Sequence, residues 1–166
     1  MYALAVARMD SDGLPDVVTA IKTGNTTGKI EFWQGKGTIV SGLVRRDEQA
    51  TPGPAISVAV GRVDYGNFGN DIVVGTAGAG GGTPPAVQAF FCDPDAINGA
   101  IIPNVFSWAD ANAGGSVNAV AIGKLECSLD APDEDPLADI IAGTATSAST
   151  GDLVIYLNPY ASTILP

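Results

Sequence analysis

The acid side chains of this chain concentrate in three loops, and each loop is entered past a base. The loops run Arg8-Met-Asp10-Ser-Asp12-Gly13-Leu-Pro15-Asp16, then Arg62-Val-Asp64 onward to Asp71, then Lys124-Leu-Glu126 onward to Asp139. In each, the base and the first acid stand two residues apart. On an extended strand such residues share one face. Arg8 with Asp10, Arg62 with Asp64 and Lys124 with Glu126 are therefore placed to pair, tying a loop to a strand end while the long basic stem lies on apolar neighbours. Other chemistry is thinner. The absence of histidine removes Ser-His-Asp and Cys-His machinery from this chain. With 18 acids a carboxylate pair is always available, so one alone does not mark a glycosidase. Cys92 and Cys127 cannot close a tetrahedral zinc site by themselves. They read as two thiols, or as a disulfide between neighbouring repeats if their Cα atoms lie within about 7 Å. No catalytic residue is assigned.

Elements that would position these loops recur three times. First strands carry Leu4, Val6 and Arg8, then Val58, Val60 and Arg62, then Val120, Ile122 and Lys124 on one face. The other face carries Ala5, Ala7 and Met9, then Ala59, Gly61 and Val63, then Ala121, Gly123 and Leu125. A strand with one large and one small apolar face is expected to lie sandwiched between two sheets. Second strands read Val17–Ile21, Ile72–Gly75 and Ile140–Gly143. Third strands read Lys29–Trp33, Ala86–Phe91 and Leu153–Leu157. Fourth strands are placed at Thr38–Val44, Ile101–Ser107 and Ser162–Leu165. No helical period is sustained. The bases recur after 54 and then 62 residues, and about 55 residues holding four antiparallel strands is the size of one propeller blade. The expected fold is all-β, three four-stranded antiparallel blades of a β-propeller, with blades at residues 1–50, 51–111 and 112–166.

The stretch Asp10-Ser-Asp12-Gly13-Leu-Pro15-Asp16-Val-Val resembles the FG-GAP repeat, the integrin α-like and VCBS-type β-propeller unit. Asp71-Ile-Val-Val-Gly75-Thr-Ala and Asp139-Ile-Ile-Ala-Gly143-Thr-Ala match its second half. The resemblance implies a Ca²⁺ loop between first and second strands, with Asp10, Asp12 and Asp16 on the later three ligand positions and Gly13 in the turn. Ca²⁺ takes six to eight hard oxygens at about 2.3–2.6 Å, which such a turn can present. The first family ligand falls on Arg8, and a cation there opposes a divalent ion. The second loop lacks the middle acid. The third, with Asp130, Asp133, Glu134 and Asp135, is longer and interrupted by proline. Metal is therefore expected in the first repeat only.

Gly75-Thr-Ala-Gly78-Ala-Gly80-Gly-Gly82 follows a strand, but Thr83-Pro84-Pro85 and another strand come next. A dinucleotide loop must instead open a helix, so this is an inter-strand loop. Trp33, Trp108, Phe90 and Phe91 could stack on a sugar, although at strand positions aromatics more often form core. Asn25-Thr26-Thr27 is a short glycosylation sequon on a loop.

A formal net charge of −10 repels polyanions, which argues against nucleic acid and anionic membrane surfaces as partners. No apolar run reaches the roughly 18 residues that cross a bilayer. Met1-Tyr2-Ala3 enters a strand pattern directly, without a leader-like basic region. Three blades do not close a ring, since propellers usually need about four to eight. Further blades are expected, from the same chain or from a homo-oligomer. The function read from this is a non-catalytic extracellular or cell-surface module for protein or glycan contact. The alternatives are part of a carbohydrate-active propeller enzyme and a self-assembling structural subunit.

Overall fold

The computed structural model describes residues 1–37, 42–63, 69–78, 86–92, 108–110, 115–125, 138–147 and 150–156. Among them there is no helix, and the strands form three antiparallel sheets, none closed. The first sheet holds β1 (Ala3–Ala7), β2 (Asp16–Lys22), β3 (Gly28–Gly35) and β4 (Leu43–Thr51). The second holds β5 (Ala55–Gly61), β6 (Asp71–Thr76), β7 (Val87–Phe90) and β8 (Trp108–Asp110). The third holds β9 (Ser116–Gly123), β10 (Asp139–Ala145) and β11 (Leu153–Tyr156). Strands neighbour one another in chain order within every sheet. That meander follows from short β-branched runs separated by turn-rich segments. The all-β class and the three first, second and third strands stand as expected.

The fourth strand of the first sheet differs. It lies at Leu43–Thr51 and overlaps the expected Thr38–Val44 at Leu43 and Val44 alone among the described residues, Thr38 to Ser41 lying outside them. Its sequence, Leu43-Val-Arg-Arg-Asp-Glu-Gln-Ala-Thr51, has no apolar alternation because it runs along an exposed sheet edge. It is held by backbone pairing to β3 and by charge instead. Lys29 Nζ lies 2.6 Å from Glu31 and 2.8 Å from Glu48, and Arg45 lies 3.1 and 2.8 Å from the same acids. Such a charged edge also discourages pairing with another chain's edge. The expected strands Ile101–Ser107 and Ser162–Leu165 lie outside the described residues.

Burial by itself would raise Glu31, but the Lys29 and Arg45 charges hold its carboxyl below the usual range. Lys29 lowers Glu48 in the same way, and both acids push Lys29 up. The acids therefore favour the folded state above the ordinary carboxylate range, and that contribution is lost as pH falls through their lowered values. The Lys29 contribution is present below the ordinary lysine range and is lost as pH rises through its raised value. Glu31→Gln is expected to cost about 1 kcal/mol or less at pH 7. It should also flatten part of the fall in urea midpoint between neutral and acid pH.

Two apolar joints hold the sheets together. In the first, Val18, Ala20, Ile30 and Phe32 of the first sheet meet Ile72, Val74 and Phe90 of the second, with Val58 and Val60 packed alongside. In the second, Val73, Val87 and Ala89 meet Val117, Ile140 and Ala142 of the third sheet, flanked by Val120, Ile122 and Tyr156. Burying each large apolar side chain contributes roughly 1.5–3 kcal/mol. Both joints set the small face of one inner strand against the large face of the next. β5 is thus sandwiched as its sequence requires. Among the described residues β1 and β9 are each covered on one face only, and Leu4 and Val6 stand 51% and 61% exposed.

Candidate functional site: the acidic turn and the buried aspartates

Each second strand opens on an aspartate, and that residue is buried in all three sheets: Asp16, Asp71 and Asp139. Register sets Asp16 opposite Ala7, Asp71 opposite Gly61 and Asp139 opposite Gly123, the last paired residues of the inner strands. Past that point the inner strand leaves the ladder, and its next amides need another acceptor. The carboxylate supplies it. Met9 N–H donates to Asp16 Oδ2 at 2.8 Å, Val63 N–H to Asp71 Oδ2 at 2.8 Å, and Leu125 N–H to Asp139 Oδ2 at 2.9 Å. The second oxygen reaches the third strand. Gly35 N–H donates to Asp16 Oδ1 at 2.9 Å, and Cys92 N–H to Asp71 Oδ1 at 3.1 Å. One buried carboxylate therefore fastens three strands at one end of a sheet.

Threonine fastens the other end of the second and third sheets. Thr76 Oγ1 accepts from Ala86 N–H at 2.9 Å and donates to Ala86 C=O at 3.2 Å. Thr144 Oγ1 does the same with Asp152, at 3.3 Å each way. The shared Gly-Thr-Ala of Gly75–Ala77 and Gly143–Ala145 is the sequence signal for this role.

The first loop is a turn built by its own acids. Asp12 N–H donates to Asp10 Oδ1 at 3.0 Å, and Leu14 N–H donates to Asp12 Oδ1 at 2.8 Å. Such side-chain-to-backbone bonds two residues on are the usual aspartate turn. Gly13 has φ 78°, a conformation that residues with a β-carbon rarely take. Gln34 Nε2 donates to Asp10 Oδ2 at 2.6 Å and to Asp12 Oδ2 at 3.1 Å. Its Oε1 accepts from Arg46 Nε at 2.8 Å and from Lys36 Nζ. Burial raises the Asp10 carboxyl, the Asp12 backbone amide opposes this, and the charges of Asp16 and Asp12 add to the rise. The Leu14 amide, above all, holds Asp12 below the usual range.

Asp10, Asp12 and Asp16 do come together, with one oxygen of each within 4.8 Å of the others. Their six oxygens each accept a protein N–H, which leaves one lone pair per oxygen. A hard cation held here would take the remaining lone pairs of Asp10 and Asp12, with the Gln34 amide, which now donates to both, turned away. Asp16 faces inward and is engaged on both oxygens.

The Arg8–Asp10 pair is not among the ion pairs of the described residues. Asp10 is held by nearer donors in its own turn and by Gln34. Arg8 contributes its carbonyl, which accepts from Asn70 Nδ2 of the second sheet at 2.9 Å. Asp64, Glu126 and the acids Asp130 to Asp135 lie outside the described residues, as does Cys127. Cys92 is buried, with Sγ 3.4 Å from Phe90 C=O. Phe90 is core rather than a sugar platform, and Trp33 is half-buried on the open face of the first sheet. Asn25 is exposed in the turn joining β2 to β3.

No family model matches the chain. No curated protein matches it at a significant level.

Proposed function

We propose that this chain is a non-catalytic module of the FG-GAP-like β-propeller kind, acting outside the cell or at its surface, with loops that contact a protein or glycan. The observation that carries this reading is the employment of the recurring acids. In all three sheets the aspartate common to the repeats is buried and bonded to backbone amides, so the repeated polar element serves the scaffold. Three meandering sheets packed in chain order support the blade reading. The test is a glycan array and a surface-protein capture, run beside a hydrolysis assay on any glycan retained. Binding without turnover is the expected result. Turnover of a retained glycan would replace this reading with that of a carbohydrate-active enzyme part.

A calcium-steadied first loop is a second reading, favoured by the convergence of Asp10, Asp12 and Asp16. Three carboxylates this close repel one another, and a divalent cation relieves that. Ca²⁺ at 10–100 times its Kd is expected to stabilise the fold by about 1.4–2.7 kcal/mol, read as a rise in Tm. The Asp10→Asn, Asp12→Asn double variant should show no rise. Because the folded Asp10 carboxyl is raised, protonation favours the folded state as pH falls through that value, and the calcium response should fade over the same range. Unchanged Tm at millimolar Ca²⁺ and neutral pH would remove the metal from this account.

A further inference from the structure

We infer that the two open faces of this molecule are the two halves of one joint, and that a second copy of the chain completes it head to tail. One internal joint shows the rule with glycine, whereas the other has Ala7 and Ala20 at the same places. At the joint between the second and third sheets, a β-carbon on Gly61 would stand 2.8 Å from Ile122 Cγ2, and one on Gly75 would stand 2.5 Å from Val117 Cγ1. These two glycines are notches that let the large face of the next sheet approach.

The third sheet repeats both notches on its outward face, at Gly123 and Gly143. Register places them as Gly61 and Gly75 are placed, opposite and four residues beyond the strand-opening aspartate. Among the described residues nothing fills them. No atom of the described residues comes within 4 Å of a β-carbon at Gly123, and of them only the sheet's own Ala119 Cβ, at 3.7 Å, approaches one at Gly143. Leu153 and Ile155 flank them, 68% and 48% exposed.

The complementary surface is the outward face of the first sheet. Val6 stands two residues before Arg8, as Ile122 stands before Lys124 and Val60 before Arg62. Leu4, Val6, Val17 and Trp33 occupy the places that Val58, Val60, Ile72 and Phe90 take in the first internal joint, by strand register. Thr19 Oγ1 and Trp33 Nε1 on this face have no hydrogen-bond partner among the described residues. A face of this shape fits a notched face, and the molecule carries one notched face to spare. The occupant is therefore a copy of the same chain in a heterologous contact, which closes into a ring or extends as a filament.

The intermolecular joint lacks one tie. Arg8 C=O accepts from Asn70, and Arg62 C=O accepts from Ala138 N–H at 3.0 Å, each donor preceding a strand-opening aspartate. The residue before Asp16 is Pro15, which has no N–H. The joint between copies is thus weaker than those within one chain. The net charge of −10 opposes it further, so added salt should strengthen it.

Sedimentation equilibrium of the full chain, from micromolar to sub-millimolar and at low and high salt, tests this. Dimers or longer assemblies that grow with concentration and salt are expected. Val6→Lys and Gly123→Leu should each raise the dissociation constant roughly tenfold or more. An equimolar mixture of the two should recover one-to-one pairing, because each variant retains one intact face. Leu153→Lys is a second notched-face variant if Gly123→Leu fails to fold. A monomer at every concentration would overturn the proposal. So would variants that associate like the parent chain, or folded variants that fail to pair when mixed. Mass is read without any glycan or protein ligand, so its failure leaves the binding reading untouched.

Discussion

Asp71→Ala is expected to lower the stability of the chain by about 3–5 kcal/mol, because two buried amides, Val63 N–H and Cys92 N–H, lose their charged acceptor together. At roughly 2–4 °C per kcal/mol for a chain of this size, Tm should fall by about 6–20 °C. Asp71→Asn keeps one oxygen and turns an amide donor toward the other N–H, so it should recover only part of the loss. Asp12→Ala offers the contrast. It removes an acceptor from an exposed turn whose amide can reach water, at a cost of about 0.5–1 kcal/mol. Urea denaturation of the three variants, with and without Ca²⁺, measures both effects. A loss below about 1 kcal/mol for Asp71→Ala would refute the clamp as a structural necessity.

Gly75→Ala should cost about 3 kcal/mol or more, although alanine ordinarily improves on glycine in a strand. The added β-carbon would meet Ser57 Oγ of its own sheet first, then Val117 Cγ1 at 2.5 Å and Val117 C=O at 2.7 Å, so Ser57 must turn and the second and third sheets must separate. The same movement breaks the 2.9 Å bond from Ser57 Oγ to Val117 C=O. Gly143→Ala, at the equivalent place in the third sheet, meets among the described residues only Ala119 Cβ at 3.7 Å. It should be neutral or stabilising by up to about 1 kcal/mol. Denaturant midpoints at low protein concentration decide this, where association does not contribute. Equal costs for the two would contradict the notched-joint account.

Much of the fold could be read before the structure. The β1, β5 and β9 patterns gave period-2 alternation with a large and a small face, and the joints use those faces as their sizes demand. β4 could not be read this way. Its residues Arg45 to Gln49 carry no apolar period, since an edge strand is held by backbone bonds and cross-strand charge. The aspartates were visible too, but their task was not. Asp16 looked like the last ligand of a loop because its neighbours Asp10 and Asp12 are acids. Whether a carboxylate faces an ion or an amide depends on where Met9 and Gly35 end up, and Gly35 is far away in sequence. The base–acid pairing at Arg8 and Asp10 failed for a related reason. Two residues on one face are only near each other, whereas Gln34 arrives from β3 with its donor already aimed.

By itself the sequence determined the all-β class, the three repeats and the small-against-large character of the inner strands. These are local properties, set by side-chain size at alternating positions and by turn residues between them. It also determined that no histidine-based chemistry operates within the chain. Tertiary structure alone decided which acids are structural, because a buried carboxylate is defined by amides that other strands bring to it. It also decided which notches are filled. Gly75 and Gly143 are the same residue at equivalent places in the repeat, and among the described residues only the packing of a further sheet distinguishes a full site from an open one.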